Sequence, residues 1–187
     1  PEDETMGSRK IPFSRNLYIE RDDFMEDAPN KYFRMSPGRC VRLKNAFIVE
    51  CQEAIKDAEG NITEIHCTYF KDSKSGQDTS GIKAKGTIHW VSIEHAIQAE
   101  VRNYDKLFTV PQPTKEEDRD FLEFFNPASL SSNENAFVEP NLLEAQSGTV
   151  FQFMRKGYYA VDESSNPDKL VFNRTCTLKD SWGKANK

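Results

Sequence analysis

The chain has 187 residues, a formal net charge of -5 and 37% hydrophobic residues. That length gives one ordinary domain or two small ones, and 13 Phe, 6 Tyr and 2 Trp suffice for aromatic-rich cores. No apolar run nears the ~18 residues of a membrane span, no charged-then-apolar leader is read, and the acidic balance argues against a broad duplex-DNA surface.

The chain opens on Pro1 rather than Met, which reads as a piece of something longer, and residues 1–7 read as a flexible leader. RNLYIERDDF then alternates Leu17, Ile19 and Arg21 against Tyr18 and Glu20, a strand pattern. KYFRMSPGRCVRLKNAFIVE follows. From Lys31 to Val49 it carries Lys31, Arg34, Arg39, Arg42 and Lys44 with no Asp or Glu, in one apparent hairpin. Within it Arg42 and Lys44 share one side of a strand, and Val41 and Leu43 the other. CVRLKNAFIVECQEAIKDAEGNITEIHCTYF reads as two long strands around Asp57-Ala58-Glu59-Gly60-Asn61, where Gly and Asn supply positive φ. Residues 72–81, DSKSGQDTSG, are a polar loop, and KAKGTIHWVSIEHAIQAEVRNYDKLFTV is further strand material with a turn at Ser92–His95.

Pro111-Gln112-Pro113 marks a boundary. Thr114 as N-cap and Glu117 three residues on predict a short helix over KEEDRDFLEFFN, ending before Pro127. VEPNLLEAQSGTVFQFMRKGYYAVD reads as a loop, a turn at Gly148 and a strand pair, and LVFNRTCTLKDSW as one more strand. Many short strands with few helices imply an antiparallel barrel or a pair of them. Cys40, Cys51, Cys67 and Cys176 are widely spaced without CxxC, the pattern of reduced thiols in a cytosolic protein.

The motifs of several enzyme classes are missing. GxxxxGK[ST], HExxH, GxSxG and GxGxxG do not occur. His66, His89 and His95 have no nucleophile beside them in sequence, and Asp22 and Asp23 would point to opposite faces of a strand. The chain by itself reads as a binding module. Lys31, Tyr32, Arg34, Arg42 and Lys44 mix planar forks, point charges and aromatic surface, as RNA readers of unstacked loops do. FQFMRKGYY is a second such stretch, with Gln152, Arg155, Lys156, Tyr158 and Tyr159. On composition alone, both stretches are equally the wet faces of ordinary strands.

MGSRKIPFSRNLYIERDDF, PGRCVRLKNAF, KDAEGNITEIHCTY, KGTIHWVS, AEVRNYDKLFTVPQP, FQFMRKGYY and VFNRTCTLKDSW occur in that order. Together they resemble the C-terminal anticodon-binding region of the glutaminyl-tRNA synthetases, class I aminoacyl-tRNA synthetases, from about Met6 to Trp182. The resemblance implies a mostly β fold: two antiparallel β-barrels of the ribosomal protein L25-like type with a few short helices. The first would span 31–112, and the second would combine 8–30 with 113–187. It implies that Arg34 reads a purine of the anticodon, with Lys31 and Tyr32 in the same segment. Arg42 and Lys44 would address the first anticodon base and a nearby phosphate, and Gln152 and Arg155 the middle uridine and backbone. No catalytic residue and no metal ligand is expected in this chain.

The resemblance also implies a glutamine–tRNA ligase as the parent, with ATP and Mg in a catalytic domain outside this sequence. Expected partners are the anticodon loop of tRNA(Gln) and that catalytic domain, in a cytoplasmic monomer. One further family contact would lie upstream of Pro1. Three positions depart from the family pattern. Lys44 stands for Arg, turning a bidentate contact into a point charge. Met154 stands for an acid, and Phe33 stands for a basic residue, adding stacking surface. Other readings are the anticodon-binding domain of a related glutamyl-tRNA synthetase, a free-standing L25-like protein that binds ribosomal RNA, and a small hydrolase built on His89.

Overall fold

The computed structural model describes residues 7–116 and 118–178. Among them the structure is mostly β. The eleven strands are β1 (Leu17–Ile19), β2 (Cys40–Leu43), β3 (Ile48–Lys56), β4 (Ile62–Phe70), β5 (Thr87–Ile88), β6 (Trp90–Ser92), β7 (Ile97–Tyr104), β8 (Leu130–Val138), β9 (Val150–Phe153), β10 (Gly157–Val161) and β11 (Leu170–Cys176). The helices are all short 3-10 turns, at Arg21–Asp23, Lys71–Ser73, Pro113–Lys115, Phe121–Phe124 and Pro140–Glu144. The chain divides into two compact units, one over Pro12–Glu94 and one formed by the residues before Pro12 and from His95 onward.

The Pro12–Glu94 unit holds a four-stranded sheet in the order β4-β3-β2-β5 and the two-stranded pair β1-β6. Alternation on β2 does what its sequence dictates: Val41 and Leu43 are buried, while Lys44 is exposed. The β2–β3 turn needs a positive φ, and Asn45 supplies it at 56°. At the β3–β4 turn the Asp57 carboxylate accepts the amides of Glu59 and Asn61 and the Asn61 side chain, and Gly60 takes φ 85°. Ile48, Cys51 and Ile88 are buried with them, at 0% exposure. Phe13 packs on Phe47 and on the edge of Trp90, with centroids 5.2 and 5.1 Å apart, and Trp90 Nε1 donates to the Lys44 carbonyl at 2.9 Å.

The other unit is a five-stranded sheet in the order β8-β7-β11-β10-β9. One face buries Ala99, Val101, Tyr159, Val161, Leu170 and Phe172 with Val138 and Leu142. Burying each large side chain of this set stabilises by roughly 1.5–3 kcal/mol. Elsewhere on β7, Glu100 is 8% exposed yet fully engaged: it accepts from Arg102 Nε at 2.5 Å, Lys169 Nζ at 2.8 Å and Ser132 Oγ at 3.0 Å. Those donors, the Arg102 guanidinium first, hold its carboxyl at about 2. Asp162 is likewise held at about 2, chiefly by the Ser164 hydroxyl and amide and by Asn173.

Three features differ from the expected outline. The sheets are not purely antiparallel, because β2 pairs with β5 and β7 with β11 in parallel. Among the described residues the three strand orders are open, and no sheet closes on itself. The division does not fall near Pro111, nor does the 16–24 segment join the later unit. β1 pairs with β6 through Leu17↔Ser92 and Ile19↔Trp90, which ties it to the Pro12–Glu94 unit.

The predicted helix after Thr114 is also replaced. Thr114 lies in a 3-10 turn without a side-chain cap, and Glu117 lies outside the described residues. Asp120 caps instead, accepting the Leu122 amide at 2.9 Å at the head of the Phe121–Phe124 turn. Of the cluster Phe121, Leu122, Phe124 and Phe125 only Phe124 is buried, so a longer helix would have had no apolar face to bury. Most of the proposed leader, residues 1–6, lies outside the described residues.

Candidate nucleic-acid interface

In the Pro12–Glu94 unit the cationic segment folds around a carbonyl. The 3-10 turn Arg21–Asp23 presents the Asp22 carbonyl, which accepts Tyr32 Oη at 3.1 Å and Arg34 Nη1 at 2.8 Å. Arg34 Nε also faces the buried Asp23 carboxylate at 3.6 Å, and its guanidinium lies 5.8 Å from the Tyr32 ring centroid. Main-chain bonds Met35 N to Asp23 O and Met25 N to Met35 O fix the segment to the turn. Arg34 is thereby gripped along one edge, and its side chain remains 40% exposed. Lys31 is exposed on the same loop.

Arg39 was not singled out as a site residue, yet it shapes the loop. Its guanidinium donates to the carbonyls of Ala28, Pro29 and Tyr32 at 3.2, 3.4 and 3.0 Å. Gly86 is a second such residue. A Cβ on it would lie 1.5 Å from the Phe33 carbonyl oxygen, so only glycine fits. Its own carbonyl accepts the Arg42 amide at 2.9 Å. Gly86 therefore joins the Arg34 loop to the Arg42 strand. Next to it, Lys85 Nζ lies 5.7 Å from the ring of Phe33, which is 50% exposed. No spacing rule in the sequence points to Gly86 or Arg39, because their partners are main-chain atoms of distant segments.

Arg42 lies on β2 between the buried Val41 and Leu43, and Lys44 follows in the turn just past the strand. Lys44 is exposed. Arg42 is enclosed: Nη1 donates to Ser73 O at 2.7 Å and Ser75 Oγ at 3.3 Å, and Nη2 pairs with Asp78 Oδ2 at 2.5 Å.

Gln152 and Arg155 belong to the other unit. Gln152 is exposed on β9, directly across from Tyr158 on β10, which is 39% exposed. The alternate residues Phe153 and Tyr159 turn inward and stack with centroids 4.5 Å apart. Arg155 occupies the tight β9–β10 turn at φ 63°, closed by Lys156 N to Phe153 O at 2.9 Å. Gly157 follows at φ 149°, and a Cβ there would meet the Cys176 carbonyl at 2.5 Å. The β9–β10 pairing places an amide and an aromatic side by side and exposed, suited to hydrogen-bonding and stacking on one unpaired base.

His66, weighed above as a general base, lies between Glu64 and Glu53, and the Glu64 hydrogen bond foremost holds its pKa above the usual value. All four cysteines are free thiols. No helix among the described residues is long and apolar enough to cross a membrane.

Exposed cations, an exposed amide and aromatic side chains are the groups from which a single-stranded-RNA-binding module is built. Two family models, both described as the anti-codon binding domain of class I (E and Q) tRNA synthetases, match residues 1–70 and 87–162. The chain belongs to this family of anticodon-binding domains. It is 54% identical over 185 residues to a glutamine–tRNA ligase of Rhodopirellula baltica, covering 98% of this chain and 31% of that protein. It is 50% identical to one of Pseudomonas putida, over 96% of this chain and 32% of that protein. For one of Proteus mirabilis the figures are 48%, 100% and 33%. The chain thus spans about a third of the length of these relatives.

Proposed function

We propose that this chain is the anticodon-reading part of a cytoplasmic, monomeric glutamine–tRNA ligase and grips the unstacked anticodon loop of tRNA(Gln). The observation that carries the reading is the alignment with glutamine–tRNA ligases over 96% or more of the chain. In this reading Arg34, with Lys31 and Tyr32, takes a purine of the anticodon. Arg42 takes the first base, Lys44 a neighbouring phosphate, and Gln152 with Arg155 the middle uridine and its backbone. The catalytic domain of the whole enzyme binds ATP and Mg and joins glutamine to the tRNA. The two units correspond to the two L25-like barrels of the family, and their open sheets are the barrel staves.

The held geometry of Arg34 supports its role. A guanidinium fixed on one edge by Asp22 and Asp23 offers its remaining donors to a base without losing much rotamer freedom. Arg34→Ala should lower affinity for an anticodon stem-loop by about 1–3 kcal/mol and relax selectivity at one base. Lys31→Ala should weaken all RNAs alike and reduce the salt slope by about one. If both variants bind the stem-loop like the parent across a salt titration, the reading fails. The family model also covers glutamate-specific enzymes. Aminoacylation by the full-length enzyme, with glutamine and glutamate offered separately, separates the two.

A further inference from the structure

The enclosure of Arg42 adds a specificity residue. Asp78 is held independently of Arg42: its Oδ1 accepts the Ser80 amide at 2.9 Å and the Ser80 hydroxyl at 2.7 Å, which leaves Oδ2 for Nη2 of Arg42. The loop carrying it is anchored as well. Ser75 N donates to Ala46 O, Thr79 N to Asp72 O, and fully buried Ser73 bonds Phe70 O and the Ile48 amide. A carboxylate fixed in this way acts as part of the frame, unlike a mobile surface counter-ion. Resting on the reading that Arg42 meets the first anticodon base, we infer that Asp78 is a positioning residue that sets which chemical group Arg42 accepts.

Two physical points carry this. Arg has five N–H donors in a rigid fork, and the bonds to Ser73, Ser75 and Asp78 use three of them. The remaining two suffice for one bidentate contact, and the side chain keeps 24% of its surface open for it. The second point is charge. A phosphate brought to this guanidinium meets the Asp78 carboxylate across it, and the two anions repel; a neutral base edge meets no such cost. Arg42 is thereby directed to a base, and the phosphate falls to Lys44, exposed in the turn that follows β2. A frozen fork rejects a wrong acceptor pattern, whereas a free Arg swings to follow it.

The test is fluorescence anisotropy of the 187-residue chain with anticodon stem-loop RNAs that differ only at the first anticodon base. Asp78→Asn should lower the affinity ratio between cognate and non-cognate first bases by about tenfold and leave middle-base discrimination unchanged. Asp78→Glu should retain part of the ratio, and Ser80→Ala, which loosens the carboxylate without removing it, should give a smaller fall in the same direction. In an Arg42→Ala background, Asp78→Asn should change nothing further. The inference is overturned if Asp78→Asn tightens every RNA alike, or costs as much without Arg42 as with it. If Arg42→Ala leaves all affinities unchanged, the assignment of Arg42 to the first base falls too. If Arg42→Ala matters and Asp78→Asn does not, only the role of Asp78 falls.

Discussion

Gly86→Ala is the sharpest perturbation the geometry offers. The new methyl would start 1.5 Å from the Phe33 carbonyl oxygen and 2.7 Å from its carbon, both main-chain atoms without a rotamer to yield. Reaching even a tight 3.0 Å contact requires a shift of 1.5 Å (3.0 less 1.5) between two segments. That shift forfeits the Arg42 amide bond to Gly86 O, about 1 kcal/mol, and adds an overpacking term of about 1–3 kcal/mol. The sum, about 2–4 kcal/mol, lowers the melting midpoint of a unit this size by about 10–30 °C. Because Phe33–Arg34 moves with the strain, stem-loop affinity should fall about tenfold even at temperatures where the variant is folded. The assay pairs thermal unfolding with anisotropy at about 10–15 °C below the variant's midpoint, where the variant is folded. A variant that keeps both the parent midpoint and the parent affinity would refute the close approach and the coupling built on it.

Arg39→Ala removes three carbonyl contacts from the 28–32 loop. Amide exchange across residues 28–34 should speed up, and RNA affinity should drop about three- to tenfold; Arg39→Lys should not restore it, because a single ammonium cannot span three carbonyls. Glu100 has a folded value of about 2 against the usual 4.5. Its contribution to stability is therefore complete above about pH 4.5 and drains away as pH falls toward about 2. Glu100→Gln should lose about 1–3 kcal/mol at neutral pH, and its midpoint should decline less steeply than the parent's through that acid window. Superimposable pH profiles would contradict the pairing of Glu100 with Arg102 and Lys169.

Local periodicity made much of this legible. Alternation over Val41, Arg42 and Leu43 gave the buried and outward faces of β2, and Asp57 to Asn61 gave the β3–β4 turn. The Gln152 strand and its partner followed from the same rule. What escaped was non-local. A parallel neighbour such as β5 for β2 lies more than 40 residues away, and no alternation encodes the choice. The Thr114 capping pattern misled because a cap acts only where a helix has a face to bury. Pro111 looked like a boundary, but strand pairing draws the division, and β6 goes to β1. Alternation likewise shows that Arg42 points outward and is silent on Asp78, because side-chain partners are set by loops folding over a strand.

The position of β11 has a consequence for biosynthesis. It lies between β7 and β10, the middle place of its sheet, although it is the last of the five to be translated. Until residues 170–176 clear the ribosome, the β7–β8 and β9–β10 ladders can exist only as separate hairpins, each with a bare edge. A nascent chain stalled before Leu170 would expose two unsatisfied strand edges at once, a natural signal for chaperones and proteases that the reader is unfinished.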